Sequence, residues 1–197
     1  MKIKSLIFLA FIYFISIINV YAIDPEIFVQ STVNRASKIL SDDISKEEKI
    51  NKLKKVAKDT VDIQGIGFYT LGKKVRNTLS EQQKKDYSNI FEQYFLKSFS
   101  SRLAEYTNPE INVLGKEILN KNYTIVNSIL KGTNERPEIK IDWRIYTKDP
   151  EKPLIRDLII EGLSLARTQK EEFNSVLQTN NNDINELFKT LKKFTEE

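Results

Sequence analysis

The feature that most constrains the fold of this 197-residue chain is a change in the spacing of its apolar residues. Up to about residue 106, apolar residues recur every three or four positions, the period of a helix with one buried face. From 111 to 160 they alternate with polar residues, most clearly in the run IKIDWRI at 139–145, and helical spacing then returns. Helices grouped before and after one run of strands predict an α+β fold. We expect an antiparallel four- to five-stranded sheet with helices packed on one face, enclosing an apolar pocket.

The element boundaries follow from this periodicity and from local capping signals. Helices are predicted at 24–40, from Ser45 onwards, as short pieces within 61–76, and at 80–106, 163–178 and 182–194. Ser45 with Glu48 and Ser80 with Gln83 form capping boxes, in which each side chain can bond the other residue's backbone amide. The last strand is predicted at 154–160, and the stretches GKEILNKN, GTNERPE and KDPEKP are predicted as turns.

The first 22 residues have the pattern of an export signal. Lys2 and Lys4 precede an apolar stretch of about 13 residues, and Val20 and Ala22 fit the two small-residue positions of a cleavage site. The apolar stretch is shorter than the roughly 20 residues that span a bilayer, so an uncleaved anchor is the less favoured alternative. We therefore predict a signal peptide at 1–22 and a single domain at 23–197.

Composition excludes several functions. The chain has no histidine and no cysteine, which excludes disulfides, the usual zinc and copper sites, and Ser-His or Cys-His catalysis. Removing Lys2 and Lys4 lowers the formal net charge from +4 to +2, and the remaining chain has no long basic run. Because general nucleic-acid binding relies on clustered positive charge, we expect no nucleic-acid partner.

Polar residues in and after the strand region leave alternatives open. Asp142 and Arg144 on one predicted strand, with Arg156 and Asp157 on the next, favour cross-strand ion pairs. An acid–base pair would instead need two carboxylates held in a cleft with separated pKa values. The segment 167–169, on the first turns of the following helix, is suited to a headgroup or a partner, or forms a solvated face.

Four segments occur in an order and spacing that carry a family resemblance. They are VDIQGIGFYTLGKKVR at 61–76, SEQQKKDYSNIFEQYFLKSFSSRLAEY at 80–106, IKIDWRIY at 139–146 and DLIIEGLSLARTQKEEFNSVL at 157–177. Together with the export signal and the absence of cysteine, they resemble the MlaC family of periplasmic phospholipid-binding proteins, from Phe28 to Leu191. Two positions depart from the family pattern: Val75 replaces an aromatic residue, and Phe68 stands where a polar residue is common. These departures bear on the shape of the pocket more than on the assignment.

The resemblance implies a function without catalysis or a cofactor. Such proteins carry a bound phospholipid as cargo through the periplasm and maintain the lipid asymmetry of the outer membrane. The implied partners are phospholipid, an inner-membrane Mla ABC transporter complex, and an outer-membrane Mla lipoprotein with its porin. We expect the chain to act as a monomer.

A phospholipid carrier needs an apolar slot, because each buried methylene gains roughly 0.8 kcal/mol. The predicted helix 80–106 carries a broad aromatic stripe suited to one wall of such a slot, and the apolar face of the sheet is suited to its floor. Gly162 lets the strand turn into the helix, and Leu165 closes one side. The predicted lipid-binding residues are Phe91, Phe95, Phe99, Val113, Ile125, Ile141, Trp143, Leu158, Ile160, Leu163, Phe173 and Leu177. An ordinary filled core would use the same residues, so that alternative stays open at each position.

Two rival functions remain. A non-lipid periplasmic binding or adaptor module of the same shape would have a filled core and no extractable ligand. An enzyme acting through carboxylates, for example on glycans, would need a carboxylate pair converging on an open cleft, about 5 or 6.5–9.5 Å apart.

Overall fold

The computed structural model of the chain describes residues 22–134 and 136–196. The predicted signal peptide therefore lies outside the described residues, except for its last position, Ala22. Within the described part of the chain, no helix combines the length and hydrophobicity needed to cross a bilayer.

Helices and strands follow the predicted order. Five helices come first: α1 Pro25–Ser41, α2 Lys46–Thr60, α3 Ile63–Leu71, α4 Lys73–Thr78 and α5 Glu81–Leu103. The strands are β1 Ile111–Asn120, β2 Tyr123–Leu130, β3 Ile139–Tyr146, β4 Leu154–Ile160 and the short β5 Leu163–Ser164. The chain then forms α6 Leu165–Thr179 and α7 Ile184–Glu196.

Both predicted capping positions start helices. The Ser45 side chain accepts the Glu48 amide at the start of α2. At the start of α5 the box is complete, because Ser80 accepts the Gln83 amide and Gln83 accepts the Ser80 amide. These bonds satisfy amides that a helix leaves unpaired at its first turn, so the sequence signal has a direct structural cause.

The sheet is an antiparallel meander in the order β1-β2-β3-β4-β5. Trp143 on β3 lies opposite Val126 on β2 and Leu158 on β4, so these three side chains share one face. We call this the inner face, because Trp143 and Val126 are buried in the hydrophobic core with residues of the helices. The α+β fold and its antiparallel sheet are therefore confirmed.

One predicted turn is wrong. The run GKEILN at 115–120 was predicted to leave the sheet, but it continues β1 and pairs with β2. A bulge between Val113 and Gly115 shifts the register, so that Val113 and Lys116, three residues apart, both pair with inner-face residues of β2. The bulge breaks the two-residue alternation of apolar side chains that would have predicted a strand. The glycine and the two charged residues of the run are typical of a turn, which explains the wrong prediction.

A second difference concerns the start of α6. The helix was predicted to begin at 163, but residues 163 and 164 form β5 and α6 begins at Leu165. A tight turn at Glu161 and Gly162 returns the chain antiparallel to β4. Both turn residues have positive φ, 49° at Glu161 and 80° at Gly162. Glycine adopts this conformation without strain, and so Gly162 serves the hairpin and not a direct passage from strand to helix.

Candidate functional site

Two cavities lie between the helices and the inner face of the sheet. The first, of about 200 Å³, is bounded by α5, by the start of α6 and by β3 and β4; we call it the α6 cavity. The second, of about 140 Å³, is bounded by α1, α2, the end of α5 and the same strands; we call it the α1 cavity. Both cavities are lined mainly by apolar side chains, and the sequence had predicted a single pocket.

The two cavities adjoin. Five residues line both of them: Val61, Phe99, Trp143, Ile155 and Leu158. Among these, the Trp143 indole is fixed in orientation, because its Nε1 donates to Ser128 Oγ at 2.8 Å. Ser128 is fully buried and donates in turn to the Ile141 carbonyl at 3.0 Å. Ser128, a polar residue on the inner face, thus fixes the position of Trp143. We call the five residues that line both cavities the shared wall.

A polar edge surrounds the α6 cavity where α5 meets α6. We call it the rim, and it consists of Tyr94, Ser98 and Arg102 on α5 with Thr168, Gln169 and Glu172 on α6. Tyr94 donates to Gln169 Oε1 at 2.8 Å, and Gln169 Nε2 donates to Glu172 Oε2 at 2.7 Å. Burial raises the pKa of Tyr94, and the Glu172 charge raises it further, while the bond to Gln169 and the Arg102 charge oppose the shift. The tyrosine therefore stays neutral at physiological pH and bridges the two helices.

Asp157 anchors the N-terminus of α6 beneath the α6 cavity. Its buried carboxylate accepts the Ser164 hydroxyl at 2.6 Å and the Ala166 amide at 3.0 Å. Arg144 on the neighbouring strand lies 3.5 Å away, which confirms the predicted cross-strand ion pair. Arg156 pairs instead with Asp62 at 2.6 Å, outside the sheet. Both Asp157 oxygens are thus engaged in structural bonds.

Seven of the twelve predicted lipid-binding residues lie on the cavity walls. Phe91 and Phe95 line the α6 cavity, and Ile141 and Ile160 line the α1 cavity. The other three, Phe99, Trp143 and Leu158, belong to the shared wall. Leu165 also lines the α6 cavity.

The other five predicted residues are placed elsewhere. Phe173 and Leu177 are buried in the core and line neither cavity. The Phe173 ring packs against Phe91 and Tyr94. Val113 packs half-buried against the core without lining either cavity. Ile125 lies opposite Arg144 on the outer face of the sheet, and Leu163 is 64% exposed. Ile125 and Leu163 therefore drop out of the proposed site.

Sequence reasoning missed the contribution of α1 and α2. Val33, Leu40, Leu53 and Val56 line the α1 cavity, as do the small residues Ala36 and Ala57. Their helical spacing was visible, but it indicates only a buried face and not a cavity behind that face. Ser98 and Arg102 on the rim were missed for a different reason, because polar positions on a predicted helix are usually assigned to the solvated surface.

Within the described residues, no group of three or more acidic side chains is placed to hold a metal ion.

Comparison with known proteins gives a family match and several structural matches. The sequence model of the MlaC protein family matches residues 30–193. Among solved structures, the phospholipid-binding protein from Ralstonia solanacearum, determined in complex with a phospholipid, matches at a TM-score of 0.73. The two sequences are 17% identical, and the match covers 88% of this chain and 98% of that one, so the likeness shows the fold. A search of curated protein sequences gives no match.

Proposed function

Because the chain belongs to the MlaC family, we propose that it is a phospholipid carrier of the periplasm. The family is non-enzymatic, which agrees with a sequence that has neither histidine nor cysteine. In this proposal residues 1–22 direct export and are removed, and the mature chain from residue 23 binds the cargo.

The observation that carries the proposal is the pair of adjoining apolar cavities. A filled core leaves few voids larger than a water molecule, whereas these cavities measure about 200 and 140 Å³. Unfilled apolar cavities are costly, since the side chains around them lose packing contacts. Acyl chains would supply those contacts, and each methylene taken from water contributes roughly 0.8 kcal/mol.

The arrangement of polar groups supports the same function. The rim is the polar edge of an apolar cavity, so a lipid can keep its headgroup near water while its tails lie inside. The Ralstonia solanacearum protein of the same fold was determined with a phospholipid bound. We therefore assign phospholipid as the cargo of this chain.

The partners follow from family membership. We propose that the carrier exchanges phospholipid with an inner-membrane Mla ABC transporter complex and with an outer-membrane Mla lipoprotein and porin. Acting as a monomer, it would thereby maintain outer-membrane lipid asymmetry.

Native mass spectrometry tests the cargo. The mature protein is purified without detergent from a periplasmic extract, and a second sample is delipidated and incubated with phospholipid vesicles. We expect an added mass equal to one or two phospholipids, released on denaturation and identified by fragmentation. A bare polypeptide mass in both samples would overturn the carrier function and favour an adaptor module.

A matched pair of leucine variants tests the site. Leu158 lines both cavities, whereas Leu163, five residues further along the chain, is 64% exposed and lines neither. Leu158→Asp places a charge against the lipid tails, where an unpaired charge is costly, and should abolish lipid binding. Leu163→Asp should bind like the wild type. Equal lipid occupancy in both folded variants, checked by circular dichroism, would contradict the assigned cavities.

A further inference from the structure

The rim of the α6 cavity carries one positive and one negative side chain on opposite helices. Arg102 lies in the last turn of α5, and Glu172 lies on α6. Both are exposed and both line the cavity. They are the only rim residues that are charged, since the others are tyrosine, serine, threonine and glutamine.

Arg102 is available to a ligand. Within the described residues, 22–134 and 136–196, the Arg102 guanidinium makes neither a hydrogen bond nor an ion pair. Arg144 and Arg156, in contrast, are both paired with aspartates. Arg102 and Glu172 line the rim of the same cavity from opposite helices. A headgroup held at this rim would therefore lie between a helix that carries a guanidinium and a helix that carries a carboxylate.

We propose that the rim selects phospholipids with a zwitterionic headgroup, Arg102 binding the phosphate and Glu172 the ammonium group. The inference rests on the carrier function above and goes beyond it by naming the class of headgroup. A guanidinium suits a phosphate because its planar donors match two phosphate oxygens. Glu172 repels a headgroup with a net negative charge and attracts an ammonium group, so both charges favour the same cargo.

The expected contribution of the rim is selectivity and not retention. The tails supply most of the affinity, because their contribution grows with every buried methylene. Both charges are exposed, so water and salt weaken their interaction with the headgroup. Loss of either charge should therefore change the ratio of bound lipids by about fivefold while leaving total occupancy similar.

A competition experiment tests the proposal. Delipidated protein is incubated with vesicles that contain phosphatidylethanolamine, phosphatidylglycerol and diacylglycerol with identical acyl chains in equal amounts, and the bound lipids are quantified by mass spectrometry. The variants are Arg102→Gln and Glu172→Gln. The matched controls are Arg76→Gln and Glu171→Gln, at positions that line neither cavity.

We expect the wild type and both controls to prefer phosphatidylethanolamine over the other two lipids. Arg102→Gln should lose the preference for phospholipid over diacylglycerol, and Glu172→Gln should bind more phosphatidylglycerol relative to phosphatidylethanolamine. If the wild type binds the three lipids equally, or the variants keep the wild-type ratios, the headgroup proposal is overturned and the carrier function stands. If the wild type takes up no lipid, the carrier function itself fails.

Discussion

The approach of α3 to α5 is set by a single residue, Gly67. A Cβ at this position would lie 2.7 Å from Cδ1 of Phe91, a distance that carbon atoms in proteins do not tolerate. Phe91 is itself buried against the rings of Tyr87, Tyr94, Phe95 and Phe173. Because Gly67 has no side chain, the Phe91 ring, which lines the α6 cavity, packs directly against α3.

Gly67→Ala should destabilise the protein. Alanine is favoured over glycine within a helix by about 1 kcal/mol, but overpacking costs about 1–3 kcal/mol, so we expect a net loss of up to about 2 kcal/mol. Gly115→Ala is the matched control, because a Cβ there would meet no atom within 4 Å. Urea denaturation of both variants measures the difference. Equal unfolding free energies would show that Phe91 gives way without cost.

The residues on β2 show which side-chain positions the sequence could not specify. Alternation groups Ile125 with Tyr123 and Ile129, and Val126 with Thr124, Ser128 and Leu130, and both sets contain apolar residues. The structure turns the second set inward, although it contains Thr124 and Ser128. Ser128 accepts the indole N–H of Trp143 there, a contact between strands that hydrophobicity along one strand does not reveal. On β3, where one face is clearly polar, parity was predicted correctly.

At the scale of elements, α6 is held to the sheet by polar bonds as well as by packing. Asp157 on β4 accepts from Ser164 and Ala166, which are the N-cap and an early residue of α6. Since α6 forms one side of the α6 cavity and half of the rim, the position of that side depends in part on this carboxylate. The segment DLIIEGLSLA contains all three residues, but only the hairpin between β4 and β5 shows why they meet.

Asp157→Ala should loosen α6. The change leaves the buried Ala166 amide and the Arg144 guanidinium without their partner, which we expect to cost about 2–3 kcal/mol. Hydrogen exchange should accelerate more in 165–172 than in α5. Asp142→Ala is the control, since Asp142 also lies on a strand but bonds Asn127 at 2.8 Å and no helix. Uniformly faster exchange across the chain would indicate global instability and not release of α6.

Elements that carry a local signal were predicted well, and those defined by pairing were not. The capping box at Ser80 and Gln83 marked the start of α5 because it is a contact within four residues. The extension of β1 through Gly115 to Asn120 depends on its pairing with β2 across a bulge, which leaves no regular pattern in β1 itself. The same distinction explains β5, two residues long and defined only by its partner strand.

At the scale of the whole molecule, the site is assembled from distant parts of the chain. The α1 cavity combines α1 and α2 with β3 and β4, and the α6 cavity combines α5 and α6 with the same strands. Only the shared wall belongs to both. Sequence patterns identified the sheet and the aromatic helix correctly, but a wall between two cavities is a property of how layers stack, and no single segment encodes it.

The shared wall gives the protein an internal reporter of cargo. Trp143 is the only tryptophan of the chain, is 8% exposed, and lines both cavities. An acyl chain in either cavity would therefore lie against the indole, while a headgroup at the rim would not contact it.

We expect phospholipid with brominated acyl chains to quench Trp143 fluorescence strongly on binding, because heavy-atom quenching requires close contact. The same lipid without bromine controls for changes in polarity around the ring, and Leu158→Asp should remove the quenching whereas Leu163→Asp keeps it. Lipid uptake detected by mass spectrometry without any quenching would place the tails outside both cavities and require a different binding site.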